Sequence, residues 1–519
     1  VRDGDRWVSV SIYDLTPEEI KIIEGRKVKM ISKIKIANFR SIKNQEMKLG
    51  NYTLIIGNNG TGKTSVLEAI NYALSPAFLS GRIKHTDFYN GEDNPIIITI
   101  EFEEDLKAKL PDGYTKQEIP FKEVLLKMKF RERKASEKAF SDLVVIEHRI
   151  EPTDNVTRIT DGWSITRKSG SDFKFREQLL ALNLIETEDL PRSFYFNKSR
   201  DKQLQRGFNS SINTVFDDFN WRFLKNEKSK DFFNEKNEIE KEKILDLIDI
   251  KENVFDTLNQ KLNNFGIDNI DISFIDGKAP FNNAYLSKKE QIDLPVKYLG
   301  SGVEMIISLI FLETMASMSK EKLVILIDEP ELHLHPSLQY KLSEYLENIS
   351  KNHQVIVSTH SPIFFKNCIG KENTQLLIAK IENGEVKLAP SENFGLFPWS
   401  PSWGEINYFA FDYPTIEFHD ELYGYLQEKT EKYKQNEFEN WLTDNGISKN
   451  KKWTKEINGN PQTEEAVTLQ TFIRNKVHHP ENQAMKNEYF KDGELKTSIE
   501  QMIELVKKIN APNIGGDIG

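Results

Sequence analysis

Cysteine is almost absent: Cys368 is the single one in 519 residues. Disulfides therefore cannot staple this chain, and a reducing interior is the expected setting. No apolar run approaches the roughly 20 residues of a membrane span. The opening residues, Val1 to Asp5, lack the basic-then-apolar pattern of a secretory signal. Both absences lead us to expect a cytoplasmic protein without a membrane partner. An excess of positive charge is missing too. Lys and Arg number 70 against 80 Asp and Glu, a formal charge of −10. That argues against a protein coated in nucleic acid and leaves room for a local basic groove, because net charge averages over faces. Sustained heptads are lacking, so no long coiled coil is expected. What remains is the composition of a globular protein, 29% charged and 38% hydrophobic, long enough for about two to four structural units.

The most informative stretch is Gly57-Asn58-Asn59-Gly60-Thr61-Gly62-Lys63-Thr64, a complete G-x-x-x-x-G-K-[ST] loop with Ser65 next in line. It follows the apolar run Leu54-Ile55-Ile56 and precedes a helical pattern with Val66, Leu67 and Ile70 on one face. Strand, glycine loop and helix in that order are what a phosphate-binding loop needs. Its glycines let backbone N–H groups turn toward phosphate oxygens, and the helix N-terminus adds partial positive charge. Lys63 is expected to reach the β- and γ-phosphates of ATP, and Thr64 to hold Mg²⁺.

Val324-Ile325-Leu326-Ile327-Asp328-Glu329 reads as a buried parallel strand ending in two acids. Asp328 is placed in the Mg²⁺ shell, and Glu329 is placed as the general base that polarises the attacking water. Ser301-Gly302 opens an apolar helix, either as a plain helix cap or as a second anion site. His360 stands at the end of the strand Gln354 to Ser358, within reach of a γ-phosphate. His333 and His335 form an H-x-H pair, which without a third ligand is a structural pair sooner than a zinc site.

This order of motifs resembles the ABC-type ATPase heads of the RecF, SMC and OLD-nuclease group. Gly57 to Thr64 matches Walker A, Leu299 to Glu304 the signature motif, and Val324 to Glu329 Walker B. Pro330 to Pro336 matches the D-loop and His360 the switch histidine. The Q-loop departs from the pattern, with Asp87 or Asn90 in its place. The resemblance implies an α/β fold: a mixed sheet plus an antiparallel β subdomain. It also implies that Ser301 and Gly302 complete the site of a second copy, so that ATP joins a head-to-head homodimer or higher assembly.

On this reading 1–29 is an N-terminal extension, 30–205 the first half of the head, 206–290 a helical insertion with a charged run at 226–243, and 291–390 the second half. Residues 391–519 form a mostly helical C-terminal domain with a disordered tail from 511. No Asp-x-Asp follows residue 390, which speaks against a Toprim nuclease there. Arg474-Asn475-Lys476-Val477-His478-His479 resembles the R-N-x-x-x-H motif of HEPN ribonucleases, in which Arg474 would stabilise phosphate and His479 would move protons. The competing reading is a helix end with basic residues in its last turn and Pro480 as its stop. The whole layout resembles the ATPase components of bacterial anti-phage systems, PtuA of Septu first, then retron-linked Septu modules and the PARIS ATPase. That implies a separate effector such as an HNH nuclease. A self-contained HEPN-like RNase and a RecF-like DNA-repair ATPase, with RNA or DNA as partner, stay open beside it.

Overall fold

The computed structural model describes residues 30–74, 83–109, 118–131, 143–153, 157–159, 162–166, 172–176, 190–198, 254–274, 284–288, 294–318, 321–368, 374–390 and 395–510, with residues 2, 3, 6, 7, 215 and 371. The charged run at 226–243, the tail from 511 and nearly all of 1–29 lie outside the described residues. Contacts divide the chain into two units, Val1–Thr53 with Thr64–Ser358, and Leu54–Lys63 with Thr359–Gly519.

In the first unit, Ile34 and Ile36 alternate with Lys33 and Lys35, and this half-covered pattern forms strand β1 (Ile31–Phe39). Strand β2 (Ile42–Lys48) follows, then strand β3 (Tyr52–Gly57), which passes from this unit into the second at Leu54, and helix α1 (Lys63–Leu74), which is back in this unit from Thr64. The long strands β4 (Ile96–Lys109), β5 (Glu118–Arg131) and β6 (Leu143–Pro152) come next, then the short β7 (Arg192–Phe196). An antiparallel sheet runs in the order β2-β1-β4-β5-β6. Lys33 and Glu101 are register partners across β1 and β4, and their charges meet at 2.8 Å.

The described part of 206–290 holds helix α2 (Val254–Asn263), together with an antiparallel pair, Ile270–Phe274 and Ala284–Lys288. Strand content there escapes the helical reading of this stretch. Helix α3 (Ser301–Met318), strand β8 (Leu323–Asp328), helix α4 (Pro336–Ile349) and strand β9 (Gln354–Thr359) follow. Helix α3 is apolar and long enough to cross a membrane by length and composition, yet it is mostly buried, as a core helix is. Its deep charge, Glu313, meets Lys261 of α2 and the hydroxyls of Ser317 (2.6 Å) and Tyr345 (3.1 Å). Strands β7, β8 and β9 are parallel. Every residue of β8 and β9 is buried, as aliphatic strands covered on both faces require. Tyr195 is the register partner of Leu326, and Asp328 that of Ser358. Val355 N–H donates to Asn51 O at 2.8 Å, which sets β9 beside the start of β3.

The second unit carries helix α5 (Pro362–Cys368) and a hairpin of β10 (Thr374–Glu382) and β11 (Glu385–Pro390). Helices α6 (Trp403–Phe411), α7 (Ile416–Thr430) and α8 (Gln435–Asp444) lead to a second hairpin, β12 (Lys451–Ile457) and β13 (Asn460–Val467). Helices α9 (Leu469–His478) and α10 (Asp492–Asn510) close the chain. One apolar core, with Phe418, Leu422, Phe438, Phe472, Ile499 and Met502 in it, joins these helices. The buried Glu405 satisfies three backbone N–H groups, those of Gly395, Leu396 and Ser402.

Candidate nucleotide site

The glycine loop leaves β3 at Gly57, whose φ is +150°. A Cβ there would lie 2.1 Å from Ala379 O on β10, so only glycine fits. Asn58, Asn59 and Gly60 are exposed, while Thr61 turns inward and donates to Asn58 O at 2.7 Å. Gly60 and Gly62 also take positive φ, +78° and +80°. Lys63 is buried at the first position of α1 and donates from Nζ to Gly57 O and Asn58 O, each at 2.8 Å. Its ammonium therefore sits over the loop that is expected to receive phosphate, where an anion would draw it off two carbonyls. Ser65 is buried in the first turn.

Thr64 faces a different partner. Its hydroxyl donates to Asp328 Oδ2 at 2.9 Å and lies 3.2 Å from Oδ1. Asp328 is fully buried, and the Ser358 hydroxyl donates to its Oδ1. The Tyr195 hydroxyl lies 3.5 Å from Oδ2. Burial first, then the Asp328 carboxylate, pushes the Tyr195 phenol well above its usual range, so it stays a donor. A hydroxyl and a carboxylate converging in this way are hard oxygen donors, the chemistry that suits Mg²⁺. The structure brings together Thr64 and Asp328, which sequence reasoning named for the site, and places beside them Ser358 and Tyr195, which it did not.

Glu329 adopts φ +51°, rare for a residue with a side chain, while its N–H donates to Ser358 O at 2.9 Å. The chain then turns through His333, at φ +62°, into α4. His335 is the N-cap of that helix: its Nδ1 accepts from Ser337 N–H at 3.3 Å and lies 2.9 Å from Ser337 Oγ. Among the described residues no group of three potential ligands gathers around a metal position. His335 thus has a structural occupation as a helix cap.

Ser301 opens α3 after Gly300, whose φ is +97°. A Cβ on Gly302 would lie 2.8 Å from His333 O and 2.7 Å from Leu334 Cδ2. The helix start and the turn after the two acids are therefore in close contact. His360 is half-buried between Thr359 and Ser361, whose hydroxyls accept from Ser361 N–H (2.9 Å) and Ile363 N–H (3.3 Å). Of the two residues named for the Q-loop position, Asp87 has its carboxylate engaged and Asn90 its backbone N–H. Asp87 pairs with Arg40 Nε at 2.8 Å, and Asn90 N–H donates to Asn38 Oδ1 at 2.6 Å. Arg40 also reaches Glu68 of α1 at 2.5 Å, a three-way ion cluster that the sequence did not announce.

In the second unit Arg474 lies over the Tyr423 ring, 5.4 Å from its centroid. His479 is the C-cap of α9 and meets Glu481 at 3.3 Å, and His478 meets Asp420 at 3.1 Å. Among the described residues no hydrogen bond or ion pair joins Arg474 to His479.

A glycine loop between a buried strand and a helix, with a lysine over it, defines a P-loop ATPase. The chain belongs to the AAA ATPase domain family, which matches residues 30–365. It is 27% identical over 356 residues to an OLD nuclease of Thermus scotoductus, covering 64% of this chain and 60% of that relative. It is 26% identical over 445 residues to the Retron Ec83 probable ATPase of Escherichia coli, covering 71% and 74%. The chain thus spans less than two thirds of the OLD nuclease. Among solved structures, an SMC head bound to the C-winged helix domain of ScpA aligns over 70% of this chain and 97% of its own, with a TM-score of 0.43 and 13% identity.

Proposed function

We propose that this chain is the ATP-hydrolysing subunit of an anti-phage assembly, which closes with a second copy on nucleotide and so gates a separate effector nuclease. The observation that carries the site reading is the Thr64–Asp328 pairing, 264 residues apart in sequence. Lys63, held over the loop it would leave for phosphate, supports it. The loop N–H groups, the start of α1 and Lys63 bind and orient the triphosphate. Thr64 and Asp328 would hold Mg²⁺, whose charge would offset the negative charge of the phosphate oxygens. Glu329 accepts a proton from the attacking water, and His360 contacts the γ-phosphate. Ser301 and Gly302 of a second copy complete the site. The retron ATPase relatives support the defence reading; the HNH-like character of the effector rests on the resemblance of the motif layout to PtuA alone.

The test is purification of the full chain with its native operon neighbours, with and without ATP and Mg²⁺. Co-purification of a nuclease whose activity changes with the Glu329→Gln variant supports gating; a chain that hydrolyses ATP alone and binds no neighbour removes it. One observation keeps a second reading, an RNase in the C-terminal unit: Arg474 is half-buried against a ring and has no acidic partner among the described residues. Cleavage of tRNA in EDTA, abolished by His479→Ala, would put that reading first.

A further inference from the structure

Three hydroxyls meet at the Asp328 carboxylate, those of Thr64, Ser358 and Tyr195, and the last two have no role in the chemistry proposed so far. Asp328 lies in β8 with β7 on one side and β9 on the other. Residues two apart on a strand share a face, and so do register partners. Tyr195 pairs with Leu326 and Ser358 with Asp328, so both hydroxyls emerge on the face that carries the Asp328 carboxylate. They divide its oxygens: Ser358 donates to Oδ1 and Tyr195 approaches Oδ2 at 3.5 Å. Both are buried, Tyr195 at 7% exposure and Ser358 at 0%.

We propose that Tyr195 and Ser358 are positioning residues, which fix the Asp328 carboxylate so that it and Thr64 present one geometry to a divalent cation. Thr64 can offer an oxygen lone pair to a cation only if its proton points elsewhere, and Asp328 is where that proton goes. The orientation of the carboxylate therefore sets the orientation of the Thr64 oxygen. Outer partners of this kind commonly change metal affinity by about 10- to 100-fold when removed. A purely structural role predicts something else: a buried hydroxyl lost, stability reduced, cation affinity unchanged.

This inference rests on the nucleotide-site reading, and the experiment separates the two. Binding of a fluorescent ATP analogue to the full chain is titrated with Mg²⁺ for wild type, Tyr195→Phe, Ser358→Ala, Asp328→Asn and the double variants. Thermal midpoints are measured without metal. Tyr195→Phe and Ser358→Ala should each raise half-saturating Mg²⁺ on the order of tenfold, leaving binding at saturating Mg²⁺ as in wild type. On the Asp328→Asn background neither should shift it further. Unchanged Mg²⁺ half-saturation with a lowered thermal midpoint overturns the proposal, as do shifts that persist in full without Asp328. If Tyr195→Phe does not fold, Ser358→Ala carries the same test. Should wild type bind the analogue without regard to Mg²⁺, or Lys63→Ala bind it equally well, the site reading itself falls.

Discussion

Glu329 holds its carboxyl on a backbone in the left-handed region, at φ +51°, one residue after a strand that is buried to its last position. Such a conformation costs on the order of 1–3 kcal/mol for a residue with a side chain, and here the bond from Glu329 N–H to Ser358 O helps fix it. If the strain serves to aim a general base, removing the base without changing its shape should spare binding and stop chemistry. Glu329→Gln should cut turnover by about 100-fold or more with ATP affinity retained, as read by steady-state hydrolysis beside equilibrium binding. Lys63→Ala should do the opposite and weaken ATP binding itself, because the ammonium over Gly57 O and Asn58 O is the loop's own positive charge. At this scale the sequence told most where chemistry dictates spacing. Lys63 and Thr64 are legible because a phosphate loop needs them at fixed offsets. Tyr195 was not, because a tyrosine within Ser193-Phe194-Tyr195-Phe196 reads only as another large buried side chain. Its hydroxyl finds Asp328 through strand order, which no local pattern encodes.

Between elements, two contacts make predictions of different kinds. Gly302 meets the carbonyl of His333 so closely that an added Cβ, 2.8 Å away, must push backbone apart. Gly302→Ala should lower stability by about 1–3 kcal/mol, seen as an earlier denaturant midpoint. His148 of β6 donates from Nε2 to Ala73 O in the last turn of α1, at 2.7 Å. Burial, the larger influence, lowers its pKa from 6.5 to about 4 although that bond raises it. The ring is thus neutral in the fold while the unfolded chain takes up a proton below 6.5. Its contribution to stability is whole above pH 6.5 and is lost as pH falls toward about 4. Denaturant midpoints across that window should slope for wild type and flatten for His148→Gln, which keeps a donor for Ala73 O and does not titrate. Legibility of elements follows the same physics as their burial. The unbroken aliphatic run of β8 and the alternation in β1 announce themselves. The hairpin β12–β13 does not, because Trp453 and Val467 are its only buried residues. One local signal was present: Asn458-Gly459, both at positive φ, is the two-residue turn that joins paired Ile457 and Asn460.

For the whole molecule, the deciding question is whether one copy can hydrolyse ATP. The chain has one glycine loop and one Ser301-Gly302 helix start, and Gly302 packs against the turn that follows its own Glu329. A second copy that presses Ser301 onto bound nucleotide would therefore load the same element that leads to its own two acids, so closure and hydrolysis would be linked through α3. The linkage can be tested without knowing the effector. Glu329→Gln with ATP and Mg²⁺ should shift to a larger species by size-exclusion chromatography with light scattering, and with ADP should not. Adding Ser301→Arg places a long cation at the helix start. It should abolish that shift while each copy still binds ATP through its own Lys63 and Thr64. In the otherwise wild-type chain, Ser301→Arg should then lower turnover steeply and remove any dependence of specific activity on protein concentration. Wild-type turnover in Ser301→Arg would mean that each loop works alone, and nucleotide would then be no joint between copies.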